Sequence, residues 1–195
     1  QPARARLGVP VGDYLQRSTA KGRAHFRATC DRLATAGFEI RSVVAMPDFD
    51  AIYARHNLLV AAETAQVHAQ WFAQYGESYQ PKTADLIQRG QTVSRADLAA
   101  ALDGREQLRA ELTELMEANQ IDVWISPSAP GVAPQGLDST GDPVMNLPWT
   151  HSGLPTIGLP SGVAAGGLPF GLQLAVRFGA DEMLFAWATE IEKAV

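Results

Sequence analysis

"GDPVMNLPWTHSGLPTIGLPSG", residues 141–162, is the most specific stretch of this sequence. It places His151 beside Ser152 and spreads four prolines and four glycines between two hydrophobic runs. A histidine next to a serine suggests an active site, but neighbouring side chains on a helix or turn point apart and do not form a nucleophile–base pair by proximity alone. The role of this stretch therefore depends on the sequence around it.

The stretch predicts a short helix followed by a strand. Asp142 before Pro143 is typical of a cap and a first helical turn. Pro148 lies near the start of the helix and Gly153 supplies the glycine that commonly follows a helix C-terminus. The chain then enters a predicted strand at "TIGLP", residues 156–160.

The flanking segments alternate between strand and helix patterns. "LGVP" (7–10) and "FEIRSVVAM" (38–46) are predicted strands. Between them Phe26, Cys30 and Leu33 recur at helical spacing, and Gly37 can end the helix. This order favours a parallel strand pair joined by a helical crossover, the local unit of α/β folds.

Further strands and helices are predicted along the rest of the chain, giving about five strands and five or six helices in total. "IDVWISPS" (121–128) is typical of a buried strand, and "PFGLQLAVRF" (169–178) alternates with period two. "AAGGLP" (164–169) leads into that strand and favours a hairpin-type turn. Predicted helices span Asn57–Tyr75, a segment capped by Ser94 with Asp97 that runs to about Asn119, and a last segment capped by Asp181.

Composition excludes several classes of function. The 195 residues are 46% hydrophobic and 19% charged, which predicts a globular chain that buries roughly 70% of its unfolded surface. A formal net charge of −5 provides no basic field for nucleic acid. We expect no membrane association, since no run approaches the ~18 apolar residues of a membrane helix. The lone Cys30 fits a reducing compartment, so we expect a cytoplasmic location.

Independent catalytic or metal chemistry finds little support in the pattern. The four histidines are scattered singly, without ligand spacing, so we expect no metal and no cofactor. No G-x-S-x-G pentapeptide occurs, and Cys30 occupies an apolar helical position typical of a buried small residue. A hydrolase built on Ser152 and His151 therefore remains only one hypothesis among others.

Four segments in order carry a resemblance to a known family: "LGVP", "IDVWISPSAPGVAP", "GDPVMNLPWTHSGLPTIGLPSG" and "GLPFGLQLAVRFGADEMLFAWA". Together they resemble the C-terminal half of the amidase signature family, which includes the A subunits of tRNA-dependent amidotransferases and bacterial amidases. "SGLPTIGLPSG" followed by "GLPFGLQL" is the most specific part. The similarity extends from about Leu7 to Glu192.

The resemblance implies an α/β/α fold in which helices cover a mixed central sheet, and an amide hydrolysis that uses a Ser, cis-Ser, Lys triad. In the family that triad lies in a Gly/Ser-rich segment upstream of the residues present here. The three lysines of this chain, Lys21, Lys82 and Lys193, do not match its pattern. We therefore expect residues 1–195 to form a single domain that is the C-terminal segment of an amidase domain, without the N-terminal catalytic half and with no catalytic residue of its own.

The resemblance also implies substrate-binding residues. The short helix of the family faces the acyl pocket, which makes Trp149, Thr150 and His151 candidates, although the family often has Asn at the position of Thr150. Asp142 either meets a substrate amine or only caps its helix. Arg109 on the long helix either binds a substrate carboxylate, as in some relatives, or is solvated; His151 either lines the pocket or packs at the helix end.

The favoured interpretation is the C-terminal part of an amidase, a scaffold and pocket wall for a small-molecule amide whose C–N bond is hydrolysed elsewhere in the protein. The alternative is a stand-alone binding or regulatory module that kept this half of the fold, and the sequence upstream of Gln1 would discriminate between the two. Because "TIGLP" and "FGLQLAV" lack edge-blunting charges, we also expect a homodimer or a higher species.

Overall fold

A five-stranded mixed sheet forms the centre of the computed structural model, which describes residues 4–195. The strand order is β2-β1-β3-β5-β4, with β1 parallel to β2 and β3, and β5 antiparallel to both β3 and β4. The strands are β1 (Leu7–Val11), β2 (Ile40–Val44), β3 (Val123–Pro127), β4 (Thr156–Val163) and β5 (Pro169–Ala175). All five predicted strands are present, and the mixed sheet implied by the resemblance is confirmed.

Eight α-helices surround the sheet in the described part of the chain. They are α1 (Asp13–Gln16), α2 (Ala20–Thr35), α3 (Phe49–Val67), α4 (Ala69–Tyr75), α5 (Pro81–Gln91), α6 (Arg95–Ala118), α7 (Leu147–Ser152) and α8 (Asp181–Glu192). The predicted helix at Asn57–Tyr75 is in fact two helices that meet at His68, and it begins earlier because Phe49 and Ile52 already bury their side chains. Helix α5, with Pro81 in its first turn, was not predicted.

Local capping determines where several elements begin and end. The Ser94 hydroxyl accepts a hydrogen bond from the Asp97 amide at 3.0 Å, as the capping pattern predicts for α6. Gly37 follows α2 with a φ of 91°, which confirms its predicted role at that helix end. The prediction for Asp181 is wrong, because Ala180 occupies the cap position and forms no side-chain cap. Asp181 lies in the first turn, where its negative charge interacts favourably with the helix dipole.

Two hydrophobic clusters pack on opposite faces of the sheet, which gives the α/β/α layering. On β3 the side chain of Trp124 joins the cluster with helices α3, α6 and α7, while its neighbours Val123 and Ile125 join the cluster with α2 and α8. Alternate strand residues point to opposite faces, so a strand buried on both sides is largely apolar, and β3 departs from this only at Ser126. All five residues of β3 are buried.

The strand order changes the expectation about exposed sheet edges. The expected homodimer was based on unprotected edges at β4 and β5. β5 is paired on both sides, so of these two strands only β4 is an edge strand. β4 carries Pro160, which donates no backbone hydrogen bond, and an irregularity between Pro160 and Gly162. Prolines and bulges blunt edges. Self-association stays a prediction, and it now depends on β4 alone.

Gly153 provides the first test of the fold. Its φ of 69° lies in the left-handed region, and an added Cβ would lie 2.9 Å from Nη2 of Arg109. We expect Gly153→Ala to lower the free energy of unfolding by about 1–2 kcal/mol in urea denaturation. Gly167→Ala isolates the backbone cost, because φ is 79° but no atom lies within 4 Å, and Gly166→Ala carries neither cost. Equal midpoints for Gly153→Ala and Gly166→Ala would contradict this account.

Candidate functional site

The site is built on the segment that runs from Asp142 through α7. Asp142 Oδ1 accepts a hydrogen bond from the Val144 amide at 2.9 Å and begins a 3₁₀ turn, Pro143–Met145, that leads directly into α7. The capping role weighed for Asp142 is therefore present. Helix α7 then ends at Ser152, with Gly153 as predicted.

A buried tyrosine hydroxyl holds this segment against the sheet. Tyr14 Oη lies 2.7 Å from the carbonyl oxygen of Met145, 3.0 Å from Trp149 Nε1 and 3.0 Å from Ser126 Oγ. A carbonyl only accepts and an indole N–H only donates, so the tyrosine proton goes to Met145 and the Trp149 and Ser126 protons come to the tyrosine oxygen. Burial raises the pKa of Tyr14, which keeps this donor protonated.

Two of the predicted pocket residues point into the core. The Trp149 side chain is 1% exposed and packs edge-on against Tyr14, with ring centroids 5.8 Å apart. The His151 ring is also 1% exposed and lies edge-on to the ring of His56 at 5.7 Å. Burial, followed by the charges of His56, Arg55 and Arg105, lowers the pKa of His151 from 6.5 to about 4. Both side chains pack α7 against the protein interior.

Arg109 binds the end of α7. Its Nε donates to the Ser152 carbonyl oxygen at 2.7 Å, and its guanidinium stacks 4.1 Å from the ring centre of Phe178. Arg105 Nε similarly donates to the His151 carbonyl oxygen at 3.2 Å. The last carbonyls of a helix lack intrahelical donors, so two arginines at this end satisfy them and complement the helix dipole.

The outward face of the segment is polar. Asp142, Asn146 and Thr150 follow one another at intervals of four residues and are all exposed, while the residues between them are largely buried. Asp142 and Asn146 also line an open cleft of about 1170 Å³, and Thr150 lies outside its lining. Of the five residues predicted to bind substrate, the structure thus places only Asp142 in the cleft. Asn146 was not among the predicted residues, although its four-residue spacing from Asp142 and from Thr150 indicates that all three lie on one face.

The cleft lies at the carboxyl end of β3, between the first turn of α2 and the β4–β5 hairpin. Its walls are mostly small or apolar, and its lining includes Lys21, Val132, Asp142, Asn146, Leu168 and Phe170. An apolar concave surface with a few polar groups is the usual composition of a site for a small organic molecule. The geometry therefore suits recognition of an apolar group with a hydrogen-bonding function at the α7 side.

Neither serine–histidine contact in this region forms a catalytic pair. Ser152 is fully buried and its hydroxyl donates to the Pro148 carbonyl oxygen at 2.8 Å, so it does not bond to His151. An unpredicted contact joins His25 Nε2 to Ser161 Oγ at 3.2 Å, but the same nitrogen lies 3.0 Å from the Ser161 carbonyl oxygen. That carbonyl can only accept, so Nε2 carries the proton and cannot deprotonate Ser161.

Other chemistry is sparse in the described part of the chain. Burial raises the pKa of the Cys30 thiol to about 12, which makes it a poor nucleophile. Residues 4–195 hold no group of three or more His, Cys, Asp or Glu side chains placed to bind a metal. Within the same residues no helix combines the length and apolar character needed to cross a membrane.

The chain belongs to the amidase family, whose model, described as Amidase, matches residues 1–185. Among its relatives is the A subunit of the glutamyl-tRNA(Gln) amidotransferase from Synechococcus sp. (strain RCC307). That protein is 28% identical over 239 residues, covering 96% of this chain and 49% of the relative. Its counterpart from Methylocella silvestris is 42% identical over 85 residues, covering 40% of this chain and 17% of the relative.

Solved structures share the fold. A protein described as an amidase superposes with a TM-score of 0.83 at 24% identity, covering 97% of this chain and 46% of that one. A fatty acid amide hydrolase gives a TM-score of 0.80 at 16% identity, covering 100% of this chain and 41% of that one. The chain thus spans about half the length of the relatives that it matches.

The Tyr14 hydroxyl is the contact whose loss should be most costly to the site. We expect Tyr14→Phe to lower the free energy of unfolding by about 1–3 kcal/mol, because the Met145 carbonyl and the Trp149 indole N–H would stay buried without this partner. Tyr75→Phe is the matched control, since Tyr75 is 53% exposed. Both variants are compared with the parent in urea, and equal losses would refute the assigned role of Tyr14.

Proposed function

We propose that this chain is the C-terminal part of an amidase that hydrolyses the C–N bond of a carboxylic amide. In this proposal residues 1–195 supply scaffold and one wall of the substrate pocket, and the Ser, cis-Ser and Lys groups that perform the reaction lie in an upstream half. The observation that carries the proposal is the exposed face of Asp142 and Asn146 at the edge of the apolar cleft, in a chain of the amidase family.

The composition of the cleft supports a binding role without chemistry. Acyl transfer to an enzyme needs a hydroxyl or thiol within hydrogen-bond reach of a base. The described residues that line the cleft include no serine, cysteine or histidine, and the one lysine among them, Lys21, is exposed on the first turn of α2. The two hydroxyls in this lining belong to Thr19 and Thr140. That of Thr19 is engaged with the Pro130 carbonyl oxygen and the Gly22 amide. The cleft is thus equipped to bind an amide, and its described lining contains no serine that could belong to the family's Ser, cis-Ser, Lys triad.

Asp142 and Asn146 supply the hydrogen-bonding groups of the pocket wall. Asp142 uses Oδ1 to cap the 3₁₀ turn, and a carboxylate has further acceptor positions for a substrate N–H. The amide side chain of Asn146 offers both donors and an acceptor beside it. Because buried contacts hold the backbone under both residues, these groups are preorganised, which limits the entropy that ligand binding costs.

The proposal predicts that the purified chain alone does not hydrolyse simple amides such as acetamide or benzamide. The measurement is ammonia release, compared between the parent chain and Ser152→Ala. Because the Ser152 hydroxyl is buried and bonded to Pro148, the substitution should change nothing. Turnover that Ser152→Ala abolishes would overturn the proposal and support the independent hydrolase.

A further inference from the structure

The buried ring of His151 packs against the half-buried ring of His56 where α7 meets α3 and α6. The two ring centroids lie 5.7 Å apart at an interplanar angle of 88°. Both ring nitrogens of His151 are buried and have no hydrogen-bond partner among residues 4–195. A neutral imidazole tolerates such surroundings far better than a charged one, since an unpaired buried charge is costly.

The groups around the pair add positive charge. Arg55 reaches it from α3 and Arg105 from α6, and Arg105 also holds the His151 carbonyl oxygen. Glu63 is the carboxylate that acts on the pair, through His56. A proton on His151 would therefore lie near two guanidinium groups without an acceptor of its own.

Three carboxylates on or beside these elements have other partners. Asp48, just before α3, lies 3.4 Å from Nη2 of Arg55, and Glu106 of α6 pairs with Arg109 at 3.1 Å. On the 3₁₀ turn, Asp142 caps its own backbone. None of these carboxylates bonds to the His151 ring.

Helix α7 is the element best able to respond. It has only six residues, fewer than an isolated helix needs, so its helical state depends on packing. Contacts at Trp149 and at the terminal carbonyls hold it, and the His151 ring fills the side toward α3. Separation of α7 from α3 would hydrate the ring and remove the penalty on its charged form.

We propose that the His151–His56 pair is a proton-operated latch: neutral rings keep α7 docked on α3 and α6, and protonation of His151 releases it. Release would displace the exposed face of Asp142 and Asn146, so acid would weaken the wall of the cleft. This consequence for ligand binding rests on the proposed function. The latch itself rests only on the packing of α7.

The sign follows from the two states of His151. Burial lowers the pKa of His151 from 6.5 to about 4 in the docked state, whereas in the open state the hydrated ring takes its ordinary value. The open state therefore binds more protons between these two values, and docking weakens as the pH falls through that window. One proton linked to opening raises the open population by up to tenfold per pH unit there. The pKa of His56 is lowered as well, mainly by burial and then by Arg105.

Hydrogen exchange tests the latch with the chain as it stands. Amide protection of residues 149–153, corrected for intrinsic exchange rates, should fall by up to tenfold per pH unit between pH 6.5 and 4.5, while protection of β3 changes much less. His151→Phe should remove this pH dependence. The matched control, His68→Gln, removes a histidine outside the pair and keeps an acceptor for Tyr79; it should retain the parent response.

A second measurement avoids variants that fail to fold. The ¹H–¹³C resonance of the His151 ring in the folded parent should not titrate near pH 6.5. Protection of α7 that is independent of pH, an equal acid response in His151→Phe, or an ordinary His151 titration in the folded chain would each overturn the latch. These measurements involve neither an amide ligand nor turnover. A result that overturns the latch therefore leaves the proposed function intact, and a result that overturns the proposed function leaves the latch intact.

Discussion

The single hydroxyl of Tyr14 is the contact on which the site depends. It joins the 3₁₀ turn through Met145, α7 through Trp149 and the central strand β3 through Ser126. Three polar groups that would otherwise be buried and unpaired become satisfied together. Hydrogen bonds are directional, so the three bonds of the Tyr14 hydroxyl fix the position of α7 more tightly than apolar packing alone would.

The opposite side of α7 is held in a different way. There Arg105 and Arg109 bind the terminal carbonyls, and the neutral pair of His151 and His56 fills the space toward α3. Tyr14 stays protonated well above neutral pH, whereas His151 has a pKa of about 4 when docked and takes up a proton between that value and 6.5 only when α7 opens, so the two sides respond differently to acid. The segment thus presents a fixed polar face to the cleft under neutral conditions, with a defined point at which protons can loosen it.

Local signals in the sequence predicted much of this architecture. The Asp142 cap, the end of α7 at Gly153 and the Ser94 cap of α6 each depend on a few adjacent residues, and each is confirmed. The mixed sheet and the layering followed from the resemblance to the family and are confirmed as well. The residue pattern alone supported strands and helices but not the order β2-β1-β3-β5-β4, which depends on distant pairing.

The orientation of side chains on α7 could not be predicted in the same way. A six-residue helix has two sides, and only the positions of Tyr14, His56 and the arginines of α6 decide that Trp149 and His151 face inward and Thr150 outward. Arg109 has the pattern of a solvated helical residue, and its contact with the Ser152 carbonyl joins residues 43 positions apart. Likewise Asp181 satisfies the local rule for a cap, but the preceding residue, Ala180, occupies that position.

The central claim is that the buried contacts under α7 present Asp142 and Asn146 as a ligand-binding face. It is tested most directly by titrating the ¹⁵N-labelled chain with benzamide at pH 7.5 and following backbone amide shifts. The account predicts saturable changes confined to residues 140–146 and the other cleft walls, and binding weakened about two- to tenfold by Asn146→Ala but not by Thr189→Ala, as expected for one lost hydrogen bond. Saturable changes elsewhere, no changes at all, or equal affinities in the three proteins would contradict it.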